Sequence, residues 1–165
     1  MNAKYVRLTR EKAQEILEKY QEFIQEIFPD YIIGGSYSRG CETVGDIDIV
    51  CDIDKVKHKL IRNKIKYIGY KHATIYTFVI EQLKFSVHCV KKQFIPSSIF
   101  LIKGPDSRCD EVWKMAEDKG FYMTHFGLLP IEKEIPFKQR DEECYNSNKK
   151  IIFDTEQEYY NFIYN

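Results

Sequence analysis

The run from Gly34 to Asp48, Gly-Gly-Ser-Tyr-Ser-Arg-Gly-Cys-Glu-Thr-Val-Gly-Asp-Ile-Asp, constrains the fold more than any other stretch of the chain. Adjacent glycines let a backbone turn sharply and come close to a ligand, and a hydroxyl and a guanidinium both donate to phosphate oxygens. A second turn at Gly45 leads into Asp46-Ile47-Asp48-Ile49-Val50, which alternates polar and apolar residues with the period of a strand. Asp46 and Asp48 then point to one face, their Cα atoms roughly 6.5 to 7 Å apart. Two carboxylates so placed suit shared Mg²⁺ coordination with phosphate oxygens, a design for handling a nucleoside triphosphate. Taken singly, Gly-Gly-Ser is an ordinary turn and Asp-x-Asp a solvated strand edge. Their order and spacing together carry the functional reading.

Around this run the periodicities change. Ala13, Ile16, Leu17, Tyr20, Phe23, Ile24 and Ile27 predict an amphipathic helix over residues 9–28, with Thr9 as N-cap and Pro29 as its stop. Its other face carries Glu11, Glu15, Glu18, Glu22 and Glu26, a solvated face that would repel a phosphate backbone, so the helix is expected to cover a sheet. Tyr31 to Ile33 reads as a strand. Residues 55–80 hold Lys55, Lys57, Lys59, Arg62, Lys64, Lys66 and Lys71 without one acidic residue, and Val56, Leu60, Ile61 and Ile65 give the first half a helical stripe. This is the one strongly basic segment, a candidate surface for a polyanion through Lys57, Lys59, Arg62, Lys64 and Lys66, set against the plainer reading of a solvated helix face. Thr74–Ile80 and Leu83–Val90 predict a β-hairpin joined at Glu81-Gln82. Further on, the spacing predicts a turn at Gly104-Pro105-Asp106 and a helix bearing Cys109, Val112, Trp113 and Ala116 that stops at Lys119-Gly120. Short strands are expected over 121–137, a polar loop over 138–150, and a final helix opened by the capping box Thr155-x-x-Glu158, with Tyr159, Phe162 and Ile163 inward.

Composition bounds the rest. With 165 residues, 44% of them hydrophobic, the chain can bury one core or two small lobes. Twenty-five basic against twenty-five acidic residues give zero formal charge, so a polyanion must be met by a local basic surface. The absence of a membrane-spanning run and of a signal-peptide core predicts a soluble, intracellular protein with no membrane partner. Cys41, Cys51, Cys89, Cys109 and Cys144 are odd in number and lack a C-x-x-C pair, so reduced thiols are expected.

The segment Gly35-Ser36-x-x-Arg39-Gly40-x-Glu42-Thr43-x-Gly45-Asp46-Ile47-Asp48 resembles the motif of the family X (β-like) DNA polymerases, within the nucleotidyltransferase superfamily. Further similarity lies in Phe100-Leu101-Ile102-Lys103-Gly104-Pro105-Asp106, in Glu117–Phe121 with Phe126-Gly127-Leu128, and in Thr155-Glu156-Gln157-Glu158. The resemblance implies an α+β fold: a nucleotidyltransferase palm over 1–96, with a mixed β-sheet covered by helices, and a small C-terminal α/β lobe over 97–165, thumb-like and binding the nascent base pair. A lyase or fingers domain is then not expected, an architecture that resembles the minimal polymerase X of large DNA viruses. The resemblance further implies that Asp46 and Asp48 are catalytic and bind metal. It likewise implies that Gly35, Ser36, Arg39, the Gly45 backbone and Arg10 hold the triphosphate. Mg²⁺, replaceable by Mn²⁺, is the cofactor, with two sites in the family.

One departure bears on activity. Ser86, in Lys84-Phe85-Ser86-Val87-His88, occupies the place of the family's third aspartate, which completes the catalytic metal site. A neutral hydroxyl cannot take the primer's proton as a carboxylate does, and Lys84, Ser86, His88 and Val90 share one strand face, leaving no neighbouring carboxylate to step in. His88 is either a metal ligand or base, or an ordinary strand histidine. The reading is a monomeric, minimal family X-like polymerase adding dNMP to a 3′ end in gapped or nicked DNA. The alternative is a catalytically inactive DNA- or nucleotide-binding protein on the same fold.

Overall fold

Helix α1 (Arg10–Ile27) forms where the spacing of apolar residues predicts it, and Thr9 caps it by accepting from the Lys12 amide. Ala13, Ile16, Leu17, Ile24 and Ile27 are buried along one stripe, while the five glutamates of the opposite face are exposed. Full burial of each larger aliphatic side chain stabilises by about 1.5 to 3 kcal/mol, which is why this stripe fixes the helix against its sheet. A computed structural model describes residues 6–64, 75–103 and 109–165, the side chains of 62–64, 109 and 110 excepted. Contacts group the chain into two units, Met1–Lys92 and Gln93–Asn165.

In the first unit, short strands β1 (Leu8–Thr9) and β3 (Thr43–Val44) pair antiparallel beside the one-turn helix α2 (Gly35–Ser38). The main sheet contains β2 (Ile32–Ile33), β4 (Asp46–Asp52), β5 (Ile75–Ile80) and β6 (Leu83–Val90), in the order β2-β4-β6-β5. It is mixed: β4 and β6 run parallel, while β2 and β5 join antiparallel. Period-two burial divides its two central strands. Ile47, Ile49 and Cys51, with Leu83, Phe85, Val87 and Cys89, enter the core shared with α1. Asp46, Asp48, Lys84, Ser86 and His88 are thereby left on the other face. Phe78 extends the aromatic core, stacked on Phe85 at 5.0 Å between ring centroids.

The expected hairpin forms, and its turn takes an unusual backbone. Glu81 and Gln82 have φ of 46° and 71°, the left-handed pair that a two-residue hairpin loop demands to match strand twist. The helix expected after Val56 is α3 (His58–Lys64). Ile65, Lys66, Lys71 and Thr74 lie outside the described residues, as does the Gly104-Pro105-Asp106 turn.

The second unit contains α4 (Ile95–Lys103), α5 (Cys109–Asp118), β7 (Phe121–Thr124), β8 (Gly127–Pro130), α6 (Phe137–Asn146) and α7 (Glu156–Tyr164). Strands β7 and β8 form an antiparallel hairpin, and Phe100, Val112, Ala116, Leu128, Tyr159 and Ile163 share a core. Both halves of the Thr155/Glu158 capping box are present, and Tyr159 and Ile163 are buried as expected. Trp113 packs at the edge of this core, 4.5 Å from the Phe137 ring.

Two elements differ from the sequence reading. Residues 138–150, expected to be a polar loop, are mostly helix α6, and Phe137 starts that helix rather than closing a strand. Only Cys144 of α6 is buried, so no apolar stripe marks it. Polar contacts hold it instead: Arg140 pairs with Glu117 at 2.6 Å and lies 4.0 Å from the Tyr122 ring centroid, and Asp141 accepts from the His125 amide at 3.0 Å. Helix α4 has no counterpart in the periodicity either, because its sequence is apolar on most sides. Its buried Ser97 and Ser98 satisfy their hydroxyls on the His125 carbonyl at 2.8 and 3.0 Å.

Cys41, Cys51, Cys89 and Cys144 are free thiols, as expected, and the Cys109 side chain lies outside the described set. Cys51 and Cys89 face each other across β4 and β6 with sulfurs 3.3 Å apart. That contact, with burial, pushes the Cys89 thiol well above its ordinary range and keeps it protonated. Among the described residues no helix is long and apolar enough to cross a membrane.

The hairpin turn yields a stability prediction. Glycine takes a left-handed φ without the cost a Cβ imposes, and exposed Gln82 lends only its backbone to the turn. Gln82→Gly is expected to raise unfolding stability by about 0.5 to 1 kcal/mol, read in a urea titration with unchanged m-value.

Candidate active site

The polar face of β4 and β6 meets the Gly34–Cys41 turn at one end of the sheet. The Gly34 amide donates to the Asp48 carbonyl at 2.8 Å, which docks the turn onto β4. Gly35 follows with φ +67°, and a Cβ built there would lie 2.1 Å from Asp48 Oδ2. No other residue satisfies both the backbone and the space, so the glycine is what lets a carboxylate lie against the turn. Ser38 Oγ donates to the Gly35 carbonyl at 3.0 Å, and the Cys41 amide to the Ser36 carbonyl at 3.1 Å, closing the turn on itself.

The carboxylates are held differently. Parallel pairing sets Asp46 opposite Lys84 and Asp48 opposite Ser86. Asp46 Oδ2 accepts from Lys84 Nζ at 3.0 Å and from Ser86 Oγ at 3.2 Å. Asp48 is the more enclosed of the two. Burial, and then the neighbouring Asp46 carboxylate, push its carboxyl up to about 6, while Lys84 and Arg39 pull the other way. Two carboxylates and two cations therefore share this end of the sheet.

Arg10, read from sequence as a phosphate contact, is drawn to the same turn. Its Nη1 donates to the Tyr37 carbonyl, and its guanidinium lies 4.7 Å from the Tyr37 ring centroid. Gly45 approaches the Arg7 side chain, which donates to the Thr43 carbonyl at 3.1 Å. Arg7 is a cation beside the second turn that sequence reasoning missed, because it precedes α1 and joins no motif. Lys84 was named only for its strand face; its register opposite Asp46 depends on a pairing that one-dimensional reading does not supply. His88 pairs with Val50, one strand repeat beyond Ser86 and further from the carboxylates. Of the basic candidates, Lys57 and Lys59 are exposed at the start of α3. The side chains of Arg62 and Lys64, and all of Lys66, lie outside the described residues.

Residues 7–103 match the family model described as DNA polymerase beta palm, which is more than half of the chain. The chain belongs to the DNA polymerase beta palm family. Among curated proteins nothing matches it. The palm match covers the turn, α1, both carboxylates and the whole mixed sheet, and it agrees with the α+β fold. For a palm family member the site's donor chemistry can be tested against divalent metal. Two carboxylates facing one direction fit one hard cation shared with phosphate oxygens. A second ion fits less well. Among the described residues no cluster of three or more His, Cys, Asp or Glu side chains forms, and the neighbours on β6 are a lysine and a serine.

The geometry makes two predictions. Gly35→Ala meets both a left-handed φ and the Asp48 carboxylate, whereas Gly40→Ala meets a left-handed φ of +79° in open space. In thermal unfolding, Gly35→Ala is expected to cost at least about 1 kcal/mol more than Gly40→Ala, the excess reporting the clash with Asp48. The second concerns pH. The folded state holds the Asp48 proton more tightly than the unfolded chain, whose carboxyl titrates near 3.9. Stability from this group is present below about pH 4 and is lost as pH rises to about 6. Asp48→Asn is therefore expected to stabilise the fold by about 3 kcal/mol above pH 6.5, with the gain fading toward zero below pH 4, in denaturant titrations across that range.

Proposed function

We propose that this chain is a minimal family X-like DNA polymerase, adding dNMP to a DNA 3′ end at a short gap with Mg²⁺. The observation that carries the reading is the convergence of the Gly35 turn, Arg39, Asp46 and Asp48 at one end of a sheet belonging to a polymerase palm. The Ser36 hydroxyl and the Arg39 guanidinium are suited to the triphosphate's oxygens. Arg10, donating to the Tyr37 carbonyl, ties α1 to the turn and would add positive charge there. Asp46 and Asp48 present the oxygens that would hold the metal. When bound, Mg²⁺ supplies positive charge that offsets the triphosphate and the departing pyrophosphate.

In the reaction, the primer 3′ oxygen bonds to the α-phosphorus, the bond to the β-phosphate oxygen breaks, and pyrophosphate leaves. The 3′-hydroxyl proton passes to solvent, because Ser86 is neutral where a carboxylate could have taken it. Ser86 instead donates to Asp46 Oδ2, keeping that carboxylate's orientation. Chemistry slower by a thousandfold or more follows from losing several kcal/mol of transition-state stabilisation. DNA would meet the exposed lysines Lys57 and Lys59 and the basic residues that follow them.

A second reading, a nucleotide- or DNA-binding protein without catalysis, is favoured by one observation: Lys84 and Ser86, not a carboxylate, face the pair on β4. Single-turnover incorporation on a one-nucleotide-gapped duplex with Mg²⁺ separates the two. Slow extension is expected from the native chain, none from the Asp46→Asn/Asp48→Asn double variant, and a gain of tenfold or more from Ser86→Asp, equivalent to about 1.4 kcal/mol. No extension by either the native chain or Ser86→Asp, with triphosphate still bound, would leave the binding-protein reading in its place.

A further inference from the structure

Lys84 is placed by the sheet rather than by its own flexibility. Its neighbours Leu83 and Phe85 are buried, its strand position is opposite Asp46, and its Nζ sits 3.0 Å from Asp46 Oδ2. Both side chains are largely shielded, at 26% and 31% exposure, so water screens the pair less than it would an ion pair at the surface. Ser86 Oγ donates to the same oxygen at 3.2 Å. One oxygen of Asp46 thus already has two donors, one of them a full positive charge.

Phosphoryl-transfer sites that use two divalent ions hold them about 3.5 to 4 Å apart, each bound by negative oxygens. Here the acidic side chains supply two carboxylates, and an ammonium lies against one of them. A second ion bound at Asp46 Oδ2 would have to displace Lys84 or stand beside its charge. We propose that Lys84 is a built-in cation replacing a second divalent ion, so that the site takes one divalent metal with each nucleoside triphosphate. This deepens the polymerase reading and rests on it. Asp46, Asp48, Lys84 and Arg39 sum to no net charge, so the empty site has little pull on a free metal ion. The triphosphate brings the missing negative charge, and the metal arrives with it. Lys84 acts as a positioning and charge-balancing residue, holding Asp46 toward the metal on Asp48.

Metal counting by Mn²⁺ electron paramagnetic resonance tests this on the full chain, with and without an α,β-methylene deoxynucleoside triphosphate. The native chain is expected to hold one Mn²⁺ per bound analogue. Lys84→Met, which keeps the side-chain length and removes the charge, is expected to tighten Mn²⁺ binding by the nucleotide-free chain at least tenfold. Lys84→Glu, adding a carboxylate opposite Asp46, is expected to hold two Mn²⁺ per analogue. Circular dichroism melting confirms that each variant is folded, and the partly exposed position tolerates both changes. Two Mn²⁺ per analogue in the native chain, or unchanged Mn²⁺ affinity in Lys84→Met, overturns the proposal and leaves the polymerase reading standing. Failure of the native chain and both variants to bind the analogue overturns the two together.

Discussion

The parallel pairing of β4 with β6 is the constraint on which the site depends. Because side chains alternate along a strand, one register decides two faces at once. Ile47, Ile49, Phe85 and Val87 enter the core only in the register that also sets Asp46 opposite Lys84 and Asp48 opposite Ser86. A slip of one residue would bury the carboxylates and expose the core. The apolar energy of the sheet therefore enforces the geometry of the polar site, and α1, sealed over the other face, makes that register the stable one.

Against this rigid base, the site holds charge in a compact arrangement. Two carboxylates on one face repel each other, and burial adds to the cost of charging Asp48. Lys84 on the neighbouring strand and Arg39 on the turn offset part of that cost. Gly35 makes the enclosure possible, since its missing Cβ is the space into which the Asp48 carboxylate fits. Asp46, by contrast, is held by a lysine and a hydroxyl on the neighbouring strand.

The second unit follows a different logic. Its core is small and aromatic, with Phe100, Tyr159, Phe153 and Phe162 linked in a chain of ring contacts. Its helix α6 is joined to the rest by Arg140, Asp141 and the lone buried Cys144 rather than by an apolar stripe. An amphipathic pattern records only burial, so a helix secured by polar contacts carries no such record, and a short apolar helix such as α4 cannot be told from a strand by periodicity.

What the sequence by itself determined follows from local rules. Residue spacing marked α1, α5 and the hairpin; Thr9 and the Thr155/Glu158 box marked helix starts; and the i, i+2 spacing put Asp46 and Asp48 on one face of a strand. Ser86 was also legible as the residue facing them, through its resemblance-based alignment. Only the tertiary structure decided that Lys84 bonds Asp46, that Arg10 reaches the Tyr37 carbonyl, and that Arg7 lies beside Gly45. Those contacts join residues 27 to 38 positions apart in the chain, and their geometry depends on strand register and on the packing of α1. Periodicity reports which way a side chain points from its own backbone. What it meets there is set by a neighbouring segment whose position only the folded core fixes.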